Sequence, residues 1–99
     1  MHRIDMTWFT YILRCNDQTL YTGITTDISR RLSEHNTGTK AAKYTRSRKP
    51  LTLVYVETHD TQGEALTREA HIKKLKRTEK EMLIENSIGL IPNFAKTET

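Results

Sequence analysis

Two short strand-like runs carry Tyr11 and Tyr21-Thr22-Gly23, and a helical segment behind them sets Arg31 and His35 one turn apart. A phenol can hold or pass a proton, a guanidinium clamps a phosphate through its planar fork, and an imidazole can do either. A later segment adds a carboxylate, Glu69. With that carboxylate correctly placed, the set suffices for metal-assisted cleavage of a phosphodiester.

The elements must bring these groups together. At 100° per residue, Ile28 and Leu32 define the apolar side of the first helix, and Arg31 and His35 fall within the same arc of about 100°. Arg30 points the opposite way, toward solvent. For Arg31 and His35 alone the plainer reading is an arginine lying along the core edge and a locally bonded histidine. Glu69 is harder to set aside, because Ala65 and Ile72 flank it on one side and Leu66 and Ala70 on the other. It is predicted to project from the middle of an apolar face. An unpaired buried carboxylate costs several kcal/mol, so a partner is required. The two readings are a structural ion pair, with Arg31 as the candidate, and a metal ligand or catalytic carboxylate. A single carboxylate suits a hard cation, Mg²⁺ or Mn²⁺, better than zinc.

Strand tyrosines are mostly packing residues, but glycine weakens a strand, and Gly23 marks either the close approach of a ligand or backbone or a bulge. Trp8 to Arg14 and Leu20 to Ile24 read as strands, with turn chemistry in Asn16-Asp17-Gln18-Thr19. An odd-length connection puts Tyr11 and Tyr21 on one face; an even one separates them. Asp27 caps a helix running to about Asn36, with Gly38 beyond it. Leu51 to Thr58 forms a third strand buried on both faces. Thr61-Gln62-Gly63-Glu64 is a capping box that opens a helix to about Leu75, and Thr78-Glu79-Lys80-Glu81 is a second box, with Thr78 as cap, opening a shorter helix that ends near Gly89. The fold class is α/β (α+β): one small three-stranded antiparallel sheet flanked by helices, in the order β-β-α-β-α-α. The 99 residues make a single domain with its core at about 7–85 and a flexible tail at 92–99.

The formal charge is +4 and the pI about 9.4, a balance that favours an acidic partner, of which nucleic acid is the commonest. No acid lies between Glu34 and Glu57, a gap that holds Lys40, Lys43, Arg46, Arg48 and Lys49. Lys73, Lys74, Lys76, Arg77 and Lys80 form a second basic cluster. Together the clusters can neutralise phosphates and release counterions. Tyr44 either stacks on a base or packs on the core. His2, His59 and His71 lack ligand-like spacing and read as surface residues. Cys15 is the only cysteine, which excludes an intrachain disulfide. Nothing approaches a membrane span or a signal sequence, so a cytoplasmic protein with no membrane partner is expected.

Phe9-Thr10-Tyr11 and Tyr21-Thr22-Gly23, with the stretch running on to Asn36, resemble the two triplets and signature segment of the GIY-YIG endonuclease superfamily. Ala65-Leu66-Thr67-Arg68-Glu69 resembles the helix bearing that family's metal-binding glutamate. The likeness covers residues 7–85 or so and is greatest to the small stand-alone bacterial branch. It implies one divalent ion per site held by Glu69 and the phosphate, Arg31 stabilising the pentacovalent phosphorus, and His35 assisting at the leaving or attacking oxygen. Tyr11 or Tyr21 would help activate water. In the first triplet Phe9-Thr10 replaces Gly-Ile. The asparagine that some members use near the C-terminal end has no match beyond residue type, in Asn86 and Asn93.

The leading expectation is a metal-dependent nuclease of low sequence specificity, acting on DNA ahead of RNA in repair or processing. Nucleic-acid contacts are assigned to Gly23, Lys40, Lys43, Tyr44, Arg46, Arg48, Lys49 and Lys73. The competing expectation is a catalytically weak nucleic-acid-binding module, or one that docks on a larger repair or processing protein.

Overall fold

The strand Trp8–Arg14 (β1) is built of aromatic and β-branched residues and is central, so both its edges are paired. Leu20–Thr25 (β2) and Thr52–His59 (β3) flank it antiparallel in the order β2-β1-β3. The helices are Ile28–Thr37 (α1), Gln62–Lys73 (α2) and Arg77–Asn86 (α3), giving the expected element order. The computed structural model describes residues 6–37 and 48–87. The assigned contact positions Lys40, Lys43, Tyr44 and Arg46 lie outside them, as do His2, Gly38, Gly89, Asn93 and the tail from Pro92.

The β1–β2 connection is residues 15–19, an odd length. Gln18 adopts φ 72°, and Asp17 Oδ1 accepts hydrogen bonds from Thr19 N at 3.1 Å and Thr19 Oγ1 at 2.6 Å, which closes the turn. Tyr11 therefore pairs with Gly23 and Leu13 with Tyr21. Both tyrosines face the same side.

That side is covered by α1, where Ile28 and Leu32 pack with Tyr11, Leu13, Leu53 and Val56. The other side is covered by α2 and α3 through Ile12, Tyr55, Ile72 and Ile84. A bulge opposite Ile12/Leu13 shifts the β3 register. It lets Leu53 and Val56 share the α1 face, which strict alternation over that spacing would forbid.

Helix ends follow local chemistry, with two corrections. Asp27 Oδ1 accepts from Arg30 N at 3.0 Å, the expected cap. Thr61 Oγ1 accepts from Glu64 N, but Glu64 reaches back to Asp60 N rather than to Thr61. α3 starts at Arg77, one residue before the expected cap Thr78, because Glu79 accepts from Lys76 N at 2.8 Å. A fork of Arg14 onto Glu81, at 2.9 and 2.7 Å, ties α3 to β1. Among the described residues no helix is long and apolar enough to cross a membrane.

Candidate active site

α1 presents Arg31 and His35 to the face of the sheet that carries the tyrosines. Arg30 and Arg31 separate as the wheel predicts, with side chains 61% and 23% exposed. Arg31 Nη1 pairs with Glu34 Oε1 at 3.0 Å, a neighbour the reading of the sequence missed although the i,i+3 spacing announces it. The Arg31 guanidinium also donates to the Tyr11 hydroxyl.

His35 is fully buried. Its bond is not local: Nε2 lies 3.2 Å from the Tyr11 hydroxyl. With Arg31 donating to the phenol oxygen, the Tyr11 proton is directed at Nε2, which favours neutral His35 protonated on Nδ1. Burial, reinforced by Arg31, lowers the His35 pKa to about 4. Burial first, then Tyr21, pushes the Tyr11 phenol up to about 12, with Glu69 adding to the rise. The Tyr21 ring completes the group, with its centroid 6.4 Å from that of Tyr11 and 5.2 Å from that of His35. Tyr11 is buried and Tyr21 half-buried.

Gly23 lies directly under the Tyr11 ring. A Cβ built there would sit 2.7 Å from the Tyr11 hydroxyl oxygen and 2.9 Å from Cζ. The close approach that the glycine announced is made by this side chain, and the β1–β2 register runs through it without a bulge.

Glu69 departs from expectation. Ala65 and Ile72 are buried, but Leu66 is 46% exposed and Ala70 is also exposed. The apolar stripe of α2 is narrower than the sequence suggested, and Glu69 stands at its edge, with its side chain 20% exposed. Its ion-pair partner is Lys73 at 3.4 Å, one turn on, and not Arg31. The Lys73 side chain is 57% exposed, so this pair constrains Glu69 weakly. No cluster of three or more acidic, histidine or cysteine side chains forms a metal cage among the described residues. A mostly covered carboxylate with one loose partner still fits a hard divalent ion, a kind of ion that keeps several waters and takes substrate phosphate as a ligand.

Other assigned residues fall outside this group. Arg48 pairs with Asp17 at 3.0 Å, and Lys49 is exposed with its carbonyl held by Asn16. His71 is exposed as expected, but His59 is not a free surface residue. Its side chain is 16% exposed and lies 3.1 Å from Glu57, which Arg68 also binds. Asn86 is exposed at the end of α3. A groove of about 650 Å³ runs between His59, Thr61, Arg68 and His71; neither tyrosine lines it, nor do Arg31, His35 and Glu69. Two residues that the sequence did not single out shape the site. Asn36 brackets Leu51 through its amide, at 2.8 and 3.1 Å, and so docks the end of α1 at β3. Thr10 is fully buried and donates to the Ala65 carbonyl.

Residues 7–82 match the family model of the GIY-YIG catalytic domain. The chain belongs to the GIY-YIG family. A UPF0213 protein of Desulfotalea psychrophila is 55% identical over 80 residues, 81% of this chain and 73% of that protein. Another, of Syntrophus aciditrophicus, is 52% identical over 79 residues, 80% of this chain and 91% of that protein. The solution NMR structure of a UPF0213 protein from Bacillus halodurans superposes with a TM-score of 0.56 at 40% identity, covering 94% of this chain and 96% of that one. The GIY-YIG domain is a nuclease fold whose members generally use divalent metal ions, and a nuclease domain implies a nucleic-acid substrate.

Proposed function

We propose that this GIY-YIG domain is a divalent-metal-dependent endonuclease of low sequence specificity, cutting DNA ahead of RNA in repair or processing in the cytoplasm. The observation that carries the reading is the convergence of Tyr11, Tyr21, Arg31 and His35 on one face of the sheet, with Glu69 near enough to act on the Tyr11 phenol. The groups gathered here serve the phosphate and the metal rather than base edges, which supports recognition of backbone and shape.

Exposure separates the two tyrosines. Tyr11 is buried, hydrogen-bonded at its hydroxyl and held protonated far above neutral pH. Tyr21 presents the more accessible phenol and is the group that, as its phenolate, takes a proton from the attacking water. Arg31 sits beside both and stabilises the charge that builds on the phosphate oxygens. His35, with no solvent exposure, acts through Tyr11 by fixing the direction of its hydroxyl. Glu69 would hold Mg²⁺ or Mn²⁺, one per site, which when bound supplies Lewis-acid polarisation of a phosphate oxygen.

The test incubates the purified protein with labelled single-stranded, duplex, flapped and branched DNA and matching RNA. Each substrate is combined with Mg²⁺, Mn²⁺ or EDTA, beside Arg31→Ala and Glu69→Ala. Metal-dependent cutting lost in both variants, with nucleic-acid affinity retained, is the expected result. Salt-sensitive binding without cutting, identical in the variants, refutes the enzyme and leaves a binding module.

A further inference from the structure

Thr10 stands where the family's first triplet has isoleucine, a residue without a hydroxyl. On β1 it points away from Tyr11, toward α2, and is completely buried. Its Oγ1 donates to the Ala65 carbonyl at 3.1 Å, across 55 positions of sequence. In an α-helix that carbonyl also accepts the amide of the residue four positions on, which is Glu69. The threonine hydroxyl and the Glu69 amide thus share one acceptor, and a carbonyl oxygen has lone pairs for both.

We propose that Thr10 is a positioning residue for Glu69, locking the turn of α2 that presents this carboxylate to the site. The proposal rests on the reading of Glu69 as the metal-holding carboxylate. The apolar anchors of this stretch are Ala65 and Ile72. Ala65 has a side chain too short to resist rotation, and hydrophobic burial is non-directional. Arg68 reaches sideways to Glu57 on β3. The Thr10 bond is directional and meets the helix backbone one turn ahead of Glu69. Two adjacent residues of the central strand therefore hold the two halves of the site. Tyr11 faces Arg31 and His35 on one side, and Thr10 grips the Glu69 turn on the other.

A purely structural role makes a different prediction. In Thr10→Val the Ala65 carbonyl keeps the Glu69 amide, so no buried polar group is orphaned, and valine favours a strand. The fold should persist while the Glu69 turn loosens. The experiment compares wild type, Thr10→Val, Thr10→Ser and Glu69→Gln for thermal stability, Mn²⁺ binding and metal-free hydrogen exchange at the Glu69 amide.

The expected result for Thr10→Val is a folded protein whose Glu69 amide exchanges on the order of fivefold faster. Its Mn²⁺ affinity should fall about tenfold, in line with other residues that orient a metal ligand, and Thr10→Ser should restore both values. Unchanged exchange in Thr10→Val overturns the proposal, whatever Glu69→Gln does. Faster exchange with wild-type Mn²⁺ affinity in Thr10→Val, while Glu69→Gln loses the ion, also overturns it. If Glu69→Gln itself binds Mn²⁺ normally, the metal reading of Glu69 has failed. Exchange then still decides whether Thr10 holds the turn.

Discussion

The Tyr11 hydroxyl lies 3.2 Å from His35 Nε2, and both residues are buried. Burial keeps both ionisable groups neutral, His35 with its pKa lowered to about 4 and Tyr11 with its own raised to about 12. The site also holds two ion pairs, Arg31 with Glu34 and Glu69 with Lys73. Both ion pairs lie within a helix and are partly exposed, so a bound phosphate or cation can displace one partner cheaply.

The neutral His35 makes stability pH-dependent. Its folded pKa, about 4, lies below the ordinary value of 6.5, so the unfolded chain binds the proton first as pH falls. The contribution is complete above about pH 6.5 and is lost as pH drops toward 4, worth roughly 3 kcal/mol in all. Urea denaturation between pH 7 and 4 should show this fall, and His35→Asn should flatten it. An equal slope in the variant would show that His35 is not the titrating group.

The tyrosines should divide by role. Tyr21→Phe removes the proton acceptor and should lower the cleavage rate by about 10²-fold or more. Tyr11→Phe should cost less, because it removes an orienting hydroxyl. Ultraviolet titration provides a separate check, since Tyr11→Phe should delete the phenol that ionises at about pH 12. A larger rate loss in Tyr11→Phe would reverse the assignment.

Gly23→Ala places a methyl 2.7 Å from the Tyr11 hydroxyl oxygen and 2.9 Å from Cζ. Overpacking of this kind costs about 1–3 kcal/mol, and the ring must move off His35. Thermal melting should register the loss, and activity should fall with it. Adding Tyr11→Phe to Gly23→Ala should recover part of the stability, because the nearest clashing atom is then gone.

Basic residues should govern affinity rather than chemistry. Replacing Lys43, Arg46 and Arg48 together should weaken DNA binding and flatten its dependence on salt. Arg48 is held by Asp17 at 3.0 Å, so it contributes to the slope only by exchanging that carboxylate for a phosphate. Single replacements titrated with salt measure each share, and an unchanged slope in the triple variant would remove this segment from the interface.

Much of this protein was legible along the chain. Element order follows from local preferences: aromatic and β-branched runs, the Asp27 cap, the Thr61 cap and turn residues at 16–19. The resemblance to the GIY-YIG signature rested on residue types at fixed spacings, and residues 7–82 match the family model. Helical periodicity by itself also separates Arg31 from Arg30, because the angle between neighbouring helical residues is fixed by backbone geometry.

What the chain by itself left open depended on contacts distant in sequence. Strand alternation says that Tyr11 and Tyr21 share a face only once pairing is known, and Tyr11 opposite Gly23 decides it. The same pairing turned Gly23 from a general marker of close approach into the seat of one phenol. The edge position of Glu69, its pairing with Lys73 and the grip of Thr10 on Ala65 depend on how α2 lies on the sheet. The sequence determined which groups this protein has and the helix or strand that carries each. Tertiary structure decided which were buried, because burial and hydrogen bonding belong to surfaces that exist only after the strands and helices have met.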